Sequence, residues 1–316
     1  MRLQLLFPAI LLGLTAVHSA PSVEPVGGEI ASRPLTKPII GNVTTPDGSI
    51  LGFHLYNNTK KTGTPVILIG GLFQVQDEWQ HVVPYFAKDR PVLTYDHRGI
   101  GESSVPNYSL VTMSTMVQDI QLLTQHLGWR RFNLVGISMG AIISQIFAAN
   151  YTKDLVLEHL ILIASAYKTG NEGPLMANVS QWLNEMSKPP GAEEWQTFQE
   201  KLFLACLTPE YIRDYPKRIK VFLEQVHQAS RKRTFDAFMA QASAFGHYDL
   251  TEDLKRINVP TLVLHGGKDG GQPPQNGRDI HALIPGSKYI EYPDGGHILY
   301  ETNPESLKAI TRFLNK

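Results

Sequence analysis

Short apolar runs separated by helical repeats dominate the chain. Val66-Ile67-Leu68-Ile69, Val92-Leu93-Thr94-Tyr95, Phe132-Asn133-Leu134-Val135, Leu160-Ile161-Leu162-Ile163 and Thr261-Leu262-Val263-Leu264 are apolar on nearly every position and bounded by polar or glycine-rich text. That is the pattern of strands buried on both faces. Residues 39–44 and 50–56 flank Pro46-Asp47-Gly48 and predict an antiparallel hairpin. Lys288-Tyr289-Ile290-Glu291-Tyr292 predicts a late strand. Between the runs, Met113, Met116, Val117, Ile120, Leu123 and Leu127 recur at intervals of three and four, which lays one apolar stripe against a sheet; Gly128 stops that helix. The alternation predicts an α/β fold, with a mostly parallel central sheet, helices on both faces, and a ligand crevice at the carboxyl ends of the strands.

Over residues 166–250 the alternation lapses into helical text carrying Trp182, Trp195, Phe198, Phe203, Phe222 and Phe238. This predicts a helical cap inserted after the sixth strand, so that 37–165 and 251–316 are two parts of one core. A loosely held arm, 21–36, rich in Pro, Gly and Ser, precedes it. Residues 1–20 have the layout of a secretory signal peptide: Arg2, an apolar stretch over 5–17, then Ser19 and Ala20 as a cleavage site. That stretch is short for a span of ~20 residues, so no stable membrane insertion is expected. Asn-x-Ser/Thr sequons at Asn42, Asn57, Asn107, Asn150 and Asn178 exceed the roughly 1.5 that chance predicts from 13 Asn and 37 Ser and Thr, which again points to a secretory lumen.

Lys and Arg number 29 and Asp and Glu 29, so no global field attracts nucleic acid or an anionic surface, and no nucleic-acid partner is expected. Arg231-Lys232-Arg233 reads as a solvated basic face. Cys206 is the only cysteine, excluding an intrachain disulfide, and among Leu204, Ala205 and Leu207 it reads as a small hydrophobe. No His/Cys/Asp set has metal-ligand spacing; neither metal nor cofactor is expected. Composition leaves the oligomeric state open.

The chemistry gathers at strand exits. Gly136-Ile137-Ser138-Met139-Gly140 joins an apolar strand to a helical pattern, and by composition it should occur only about 0.1 times by chance. Glycines flanking the serine let a sharp strand-to-helix turn pass its neighbours without Cβ clashes, lifting Ser138 towards a reactant. A serine hydroxyl needs a base, and that base needs an orienting carboxylate. Asp269 ends the glycine turn after the strand over 261–264, and His297 follows the strand over 288–292 through Gly295-Gly296. After the sixth strand the chain reads Ala164-Ser165-Ala166-Tyr167, without a carboxylate, which favours Asp269 as the acid; His265, inside the turn, reads as packing or gating. The order Ser138, Asp269, His297 is that of a nucleophile elbow. An oxyanion would be met by the Met139 amide and by an amide after Gly70-Gly71, from Leu72 or Phe73. Asp96-His97-Arg98-Gly99-Ile100-Gly101-Glu102-Ser103 lacks the ending of a phosphate loop and reads as bracing.

Together these residues resemble the α/β-hydrolase superfamily over 39–314: Ile69-Gly70-Gly71, Asp96 to Ser103, Gly136-x-Ser138-x-Gly140, Gly266-x-x-Asp269 and Gly296-His297 stand in its order. Trp79 falls where its members often carry an aromatic residue. The approach to Pro260 and Gln272-Pro273-Pro274 look similar to the branch of 3-oxoadipate enol-lactonases, cofactor-free haloperoxidases and small carboxylesterases. The chain departs at Gly70, where many relatives have His. The resemblance implies cofactor-free hydrolysis of a small to medium hydrophobic ester or lactone through an acyl-serine, with Ser138, Asp269 and His297 catalytic and Leu72 and Met139 forming the oxyanion hole. The same fold also serves cofactor-free peroxidases, acyltransferases, carbon-carbon hydrolases and non-catalytic ligand binders.

Overall fold

The computed structural model describes residues 37–57, 63–151 and 154–316. The expected signal segment and N-terminal arm therefore lie outside the described residues. Eight strands occur among them: β1 (Ile39–Thr44), β2 (Ile50–Tyr56), β3 (Val66–Ile69), β4 (Val92–Tyr95), β5 (Arg131–Ile137), β6 (Val156–Ile163), β7 (Thr261–Gly266) and β8 (Lys288–Tyr292). They form one sheet in the order β1-β2-β4-β3-β5-β6-β7-β8. β1 and β2 are antiparallel, β2 is antiparallel to β4, and every later pair is parallel. The hairpin turn closes because Gly48 takes φ 82° and Thr45 N donates to Ser49 O at 2.8 Å.

The helices are α1 (Val83–Phe86), α2 (Met113–His126), α3 (Met139–Asn150), α4 (Pro174–Glu185), α5 (Ala192–Ala205), α6 (Pro209–Asp214), α7 (Pro216–Ser230), α8 (Phe235–Ala244), α9 (Thr251–Lys255), α10 (Pro274–Leu283), α11 (Leu299–Thr302) and α12 (Glu305–Leu314). Thr112 caps α2 by accepting Thr115 N, and Gly128, at φ 68°, turns the chain away after it. Two-sided burial follows from the period of a strand. In β3, Val66 and Leu68 pack with Val83, Phe86, Ile310 and Phe313 of α1 and α12, whereas Ile67 and Ile69 pack with Met116, Ile120, Ile142 and Phe147 of α2 and α3. β6 is longer than its apolar run: it starts at Val156, with Glu158 and His159 half-buried, and its register with β5 shifts between Phe132 and Leu134.

Between β6 and β7 run α4 to α9. Trp195, Phe198, Phe203, Val226 and Phe238 from α5, α7 and α8 make a third apolar cluster together with Phe73 and Ile100 from the loops of the sheet. The basic triplet needs a correction. Arg231 is exposed, but Lys232 pairs with Asp77 at 2.6 Å, and Arg233 is buried, ion-paired to Glu78, with its guanidinium 4.4 Å from the centre of the Phe203 ring. A buried cation persists when a carboxylate and ring faces replace its water.

Candidate active site

β5 ends in Ile137, and Ser138 takes φ 52°, ψ −119° before α3 begins at Met139. That left-handed backbone is costly for a residue with a side chain and is held in place by its surroundings. Ser138 N donates to Ile163 O at 2.9 Å, and its carbonyl accepts Ala141 N at 3.0 Å and Ile142 N at 3.1 Å. Both flanking glycines are required by close approach. A Cβ on Gly136 would stand 2.7 Å from Ala141 N, and one on Gly140 2.5 Å from Gly70 O. The Ser138 hydroxyl makes no hydrogen bond to another described residue.

Asp269 leaves β7 through Gly266-Gly267-Lys268 and is buried. Its Oδ1 accepts the amides of Gly271 at 2.8 Å and Gln272 at 2.9 Å, and both carboxylate oxygens lie 2.9 Å from His297 Nδ1. Burial alone would raise its pKa; the charge of His297 and hydrogen bonds from His265 and His297 outweigh it and hold the carboxyl well below its usual range. An ionised carboxylate only accepts, so His297 Nδ1 carries the proton and Nε2 keeps its lone pair. Loss of solvent pushes the His297 pKa down, but the Asp269 charge and hydrogen bond prevail and raise it. His265 is fully buried; its Nε2 donates to Gln272 O at 2.8 Å and lies 3.4 Å from Asp269 Oδ2, so it braces the acid turn.

Three consecutive amides follow β3. Gly71 N donates to Gln74 Oε1 at 2.9 Å and Phe73 N to Gln241 Oε1 at 2.9 Å. Leu72 N and Met139 N, at the start of α3, have no partner among the described residues. Of the two residues that could present the first amide, Leu72 is thus the one with an N–H to spare. His97 Nε2 donates to Gly70 O at 2.9 Å, and burial drops its pKa to about 4 despite that bond, so it is a neutral brace for this loop.

Ser138, His297, Leu72, Gln272 and Tyr300 line one cavity of about 570 Å³, whose walls include Leu175, Val179 and Leu183 of α4, Leu202 and Phe203 of α5, and Phe238 of α8. Cys206 also borders it. Loss of solvent, with the charges of Asp269 and Glu78, pushes its thiol well above the usual range, so it stays protonated. Sequence reasoning missed Gln74, Gln241 and Tyr300. Gln74 Nε2 donates to Tyr300 Oη at 3.0 Å, linking the loop after β3 to the segment after His297.

The loop over 96–103 braces these elements. Asp96 accepts Gln76 N at 2.7 Å and Glu102 N at 2.8 Å, and burial, beyond what those amides offset, lifts its pKa to about 6. Arg98 forks onto Asp119 of α2 at 2.9 and 2.5 Å and reaches Asp47 in the hairpin turn at 2.8 Å. His54, Asp77 and Glu102 bring potential ligand atoms within 4.8 Å of one another, but Lys232 Nζ already stands 2.6 Å from Asp77 and 3.4 Å from Glu102, and none of the three lines the cavity. An ammonium there does a cation's work.

The fold and the serine turn define a class: a family model described as alpha/beta hydrolase fold matches residues 64–304, and the chain belongs to that family. It is similar to the proline iminopeptidase of Lactobacillus acidophilus, 26% identical over 280 residues covering 80% of this chain and 90% of the relative. It is also similar to 3-oxoadipate enol-lactonase 2 of Acinetobacter baylyi, 28% identical over 193 residues covering 60% and 66%. The crystal structure of an enol-lactonase from Burkholderia xenovorans superposes with TM-score 0.74 at 22% identity, covering 87% of this chain and 100% of that one, a likeness of fold.

Proposed function

We propose that this α/β hydrolase cleaves a small to medium hydrophobic carboxylic ester or lactone through an acyl-serine intermediate. The observation that carries the reading is a serine on a strained turn sharing one cavity with a histidine whose Nδ1 is bound to an ionised carboxylate. His297 Nε2 takes the Ser138 proton as Oγ attacks the carbonyl carbon, and the oxyanion is received by the N–H groups of Leu72 and Met139. Collapse expels the alkoxide, which His297 protonates; in a lactone the ring opens and the alcohol stays attached to the acyl group. Water, deprotonated by His297, then releases the acid and restores Ser138. Asp269 holds the imidazole and its transient positive charge. No hydrogen bond joins Ser138 Oγ to His297 among the described residues, and the proton transfer requires that contact to tighten in the reacting complex.

The walls of the cavity favour an apolar acyl group or lactone ring. A peptide substrate, raised by the iminopeptidase relatives, would present a cationic terminus and need an unpaired carboxylate. Three carboxylates border the cavity: Glu78 pairs with Arg233, Glu301 accepts Tyr211 Oη at 2.9 Å and has Arg218 at 3.8 Å, and the exposed Glu172 accepts the Gly170 amide at 2.9 Å with no cation beside it among the described residues, so Glu172 is the carboxylate that a peptide's terminus would have to use. The test is turnover of a panel of p-nitrophenyl esters and lactones, with fluorophosphonate labelling. Ser138→Ala should abolish both; wild-type turnover in that variant would defeat the reading, and product analysis separates hydrolysis from acyl transfer or peroxidation.

We also propose that the protein enters a secretory lumen. The charged-then-apolar start supports this, as do exposed sequon asparagines at Asn42, Asn107, Asn150 and Asn178. Asn57 is half-buried and gives its side-chain N–H to Ala87 O, so it should remain bare. Protein from a glycosylating host should shift on glycosidase treatment; a chain that keeps Met1 and shows no shift would count against secretion.

A further inference from the structure

The oxyanion loop packs into the cap at Leu72, Phe73 and Val75, and Phe73 is its most deeply held residue. Phe73 is fully buried at φ 66°, its ring meets Trp195 at 5.4 Å and Phe238 at 5.0 Å edge-on, and Arg233 lies 5.6 Å from the ring centre. Its amide is taken by Gln241 Oε1 on α8, 168 positions away in the chain. Gln241 is itself buried, and its Nε2 has no hydrogen-bond partner among the described residues. An unpaired buried amide is costly, so only the acceptor half of this side chain is used within the protein.

We propose that Gln241 is a positioning residue of the oxyanion hole: by accepting the Phe73 amide from the cap, it fixes the turn so that the Leu72 N–H is the one left for the reactant. The chain of cause is short. Phe73 is buried with a left-handed backbone, and without Gln241 its N–H would be a buried donor seeking another partner. Rotation of that turn would carry the Leu72 N–H with it. Gln74, which takes the Gly71 amide, guards the other side of Leu72. Other cap contacts reach the remaining loops: His297 N donates to Cys206 O at 2.9 Å and Leu175 N to Gly270 O at 2.9 Å. Among the described residues, Gln241 makes the cap's hydrogen bond to the oxyanion loop itself.

The inference rests on the serine-hydrolase reading, and the experiment keeps the two apart. Labelling of the wild type by a fluorophosphonate, absent in Ser138→Ala, tests that reading alone. In the labelled enzyme, Gln241→Met, similar in volume but without an acceptor, should lower kcat by about 10- to 100-fold, less than the ~10²–10³ for outright loss of a donor. KM should stay within about two-fold, because ground-state binding uses the cavity walls. The Ki of an alkylboronic acid, whose tetrahedral adduct puts an oxygen in the hole, should rise by the same factor as kcat falls. Gln241→Glu keeps the acceptor and should hold kcat within about three-fold of wild type. Unchanged kcat and boronate affinity in a folded Gln241→Met overturns the proposal. If that variant does not fold, a folded Gln241→Glu with kcat down by tenfold or more overturns it instead.

Discussion

Replacing Gly140 by alanine tests how tightly the nucleophile turn and the oxyanion loop are fitted together. The new Cβ would stand 2.5 Å from the Gly70 carbonyl oxygen, and nearer still to that of Ile69, where ordinary contact begins at 3.4 Å. One side must therefore retreat by about 1 Å, and neither is free to, since interiors are close-packed. Gly70 O is held by His97, and α3 is anchored under the sheet by Ile142 and Phe147. A displacement of about 1 Å at a reacting geometry costs about 10²-fold in rate. Overpacking of this kind costs about 1–3 kcal/mol of stability, or roughly 1–2 °C in Tm for each kcal/mol in a chain of this size. Gly191→Ala is the control: it has φ −68° and nothing within 4 Å of the added carbon. Ester kcat/KM and thermal unfolding of the two variants beside wild type make the assay. If Gly140→Ala folds and keeps kcat/KM within two-fold of wild type, the close approach is not what aligns the Leu72 amide.

Two further outcomes follow from the charges. As the proposed base, His297 acts only when neutral, and Asp269 raises its pKa above the ordinary value, so kcat/KM should fall tenfold per pH unit below that raised value. In Asp269→Asn burial alone remains and the acid limb should move below 6.5, with turnover reduced on the order of 10⁴; an unmoved limb would assign the limb to another group. Asp119→Ala strands the Arg98 guanidinium, whose side chain is 2% exposed, with Asp47 as its remaining carboxylate. Urea unfolding should show a loss of about 3–5 kcal/mol, and a loss under 1 kcal/mol would mean that water already reaches the pair.

What could be read from the chain was whatever depends on neighbours in sequence. An apolar run such as Val66 to Ile69 announces a strand because both faces of it are covered, and Gly136 and Gly140 announce a tight turn because only a missing Cβ permits one. Gly128 likewise marks the end of α2 by the sign of its backbone angle, whereas the Thr112 cap at its start is a finding of the structure. β6 is harder: Glu158 and His159 interrupt its apolar run and fall where the register with β5 shifts, outside the paired positions, and they are accommodated because Glu158 is satisfied by Arg131 at 2.6 Å and His159 by Asn133 at 2.9 Å.

Contacts that bridge the cap and the sheet leave no such trace. Arg233 stands in a basic triplet whose natural place is solvent, and it is drawn inside by Glu78 and by the rings of Phe73 and Phe203, all distant in sequence. Gln241 shares one face of α8 with Ala237 and Phe238, where a helical pattern leads one to expect another apolar side chain. A polar residue on a buried face is explicable only by its partner, and that partner is the amide of Phe73. The two surprises adjoin the same residue, Arg233 at its ring and Gln241 at its amide. Phe73 therefore couples the arrangement of the cap to the donor proposed to meet a reacting carbonyl, and substitution of Gln241, which does not line the cavity, should change rate before it changes binding.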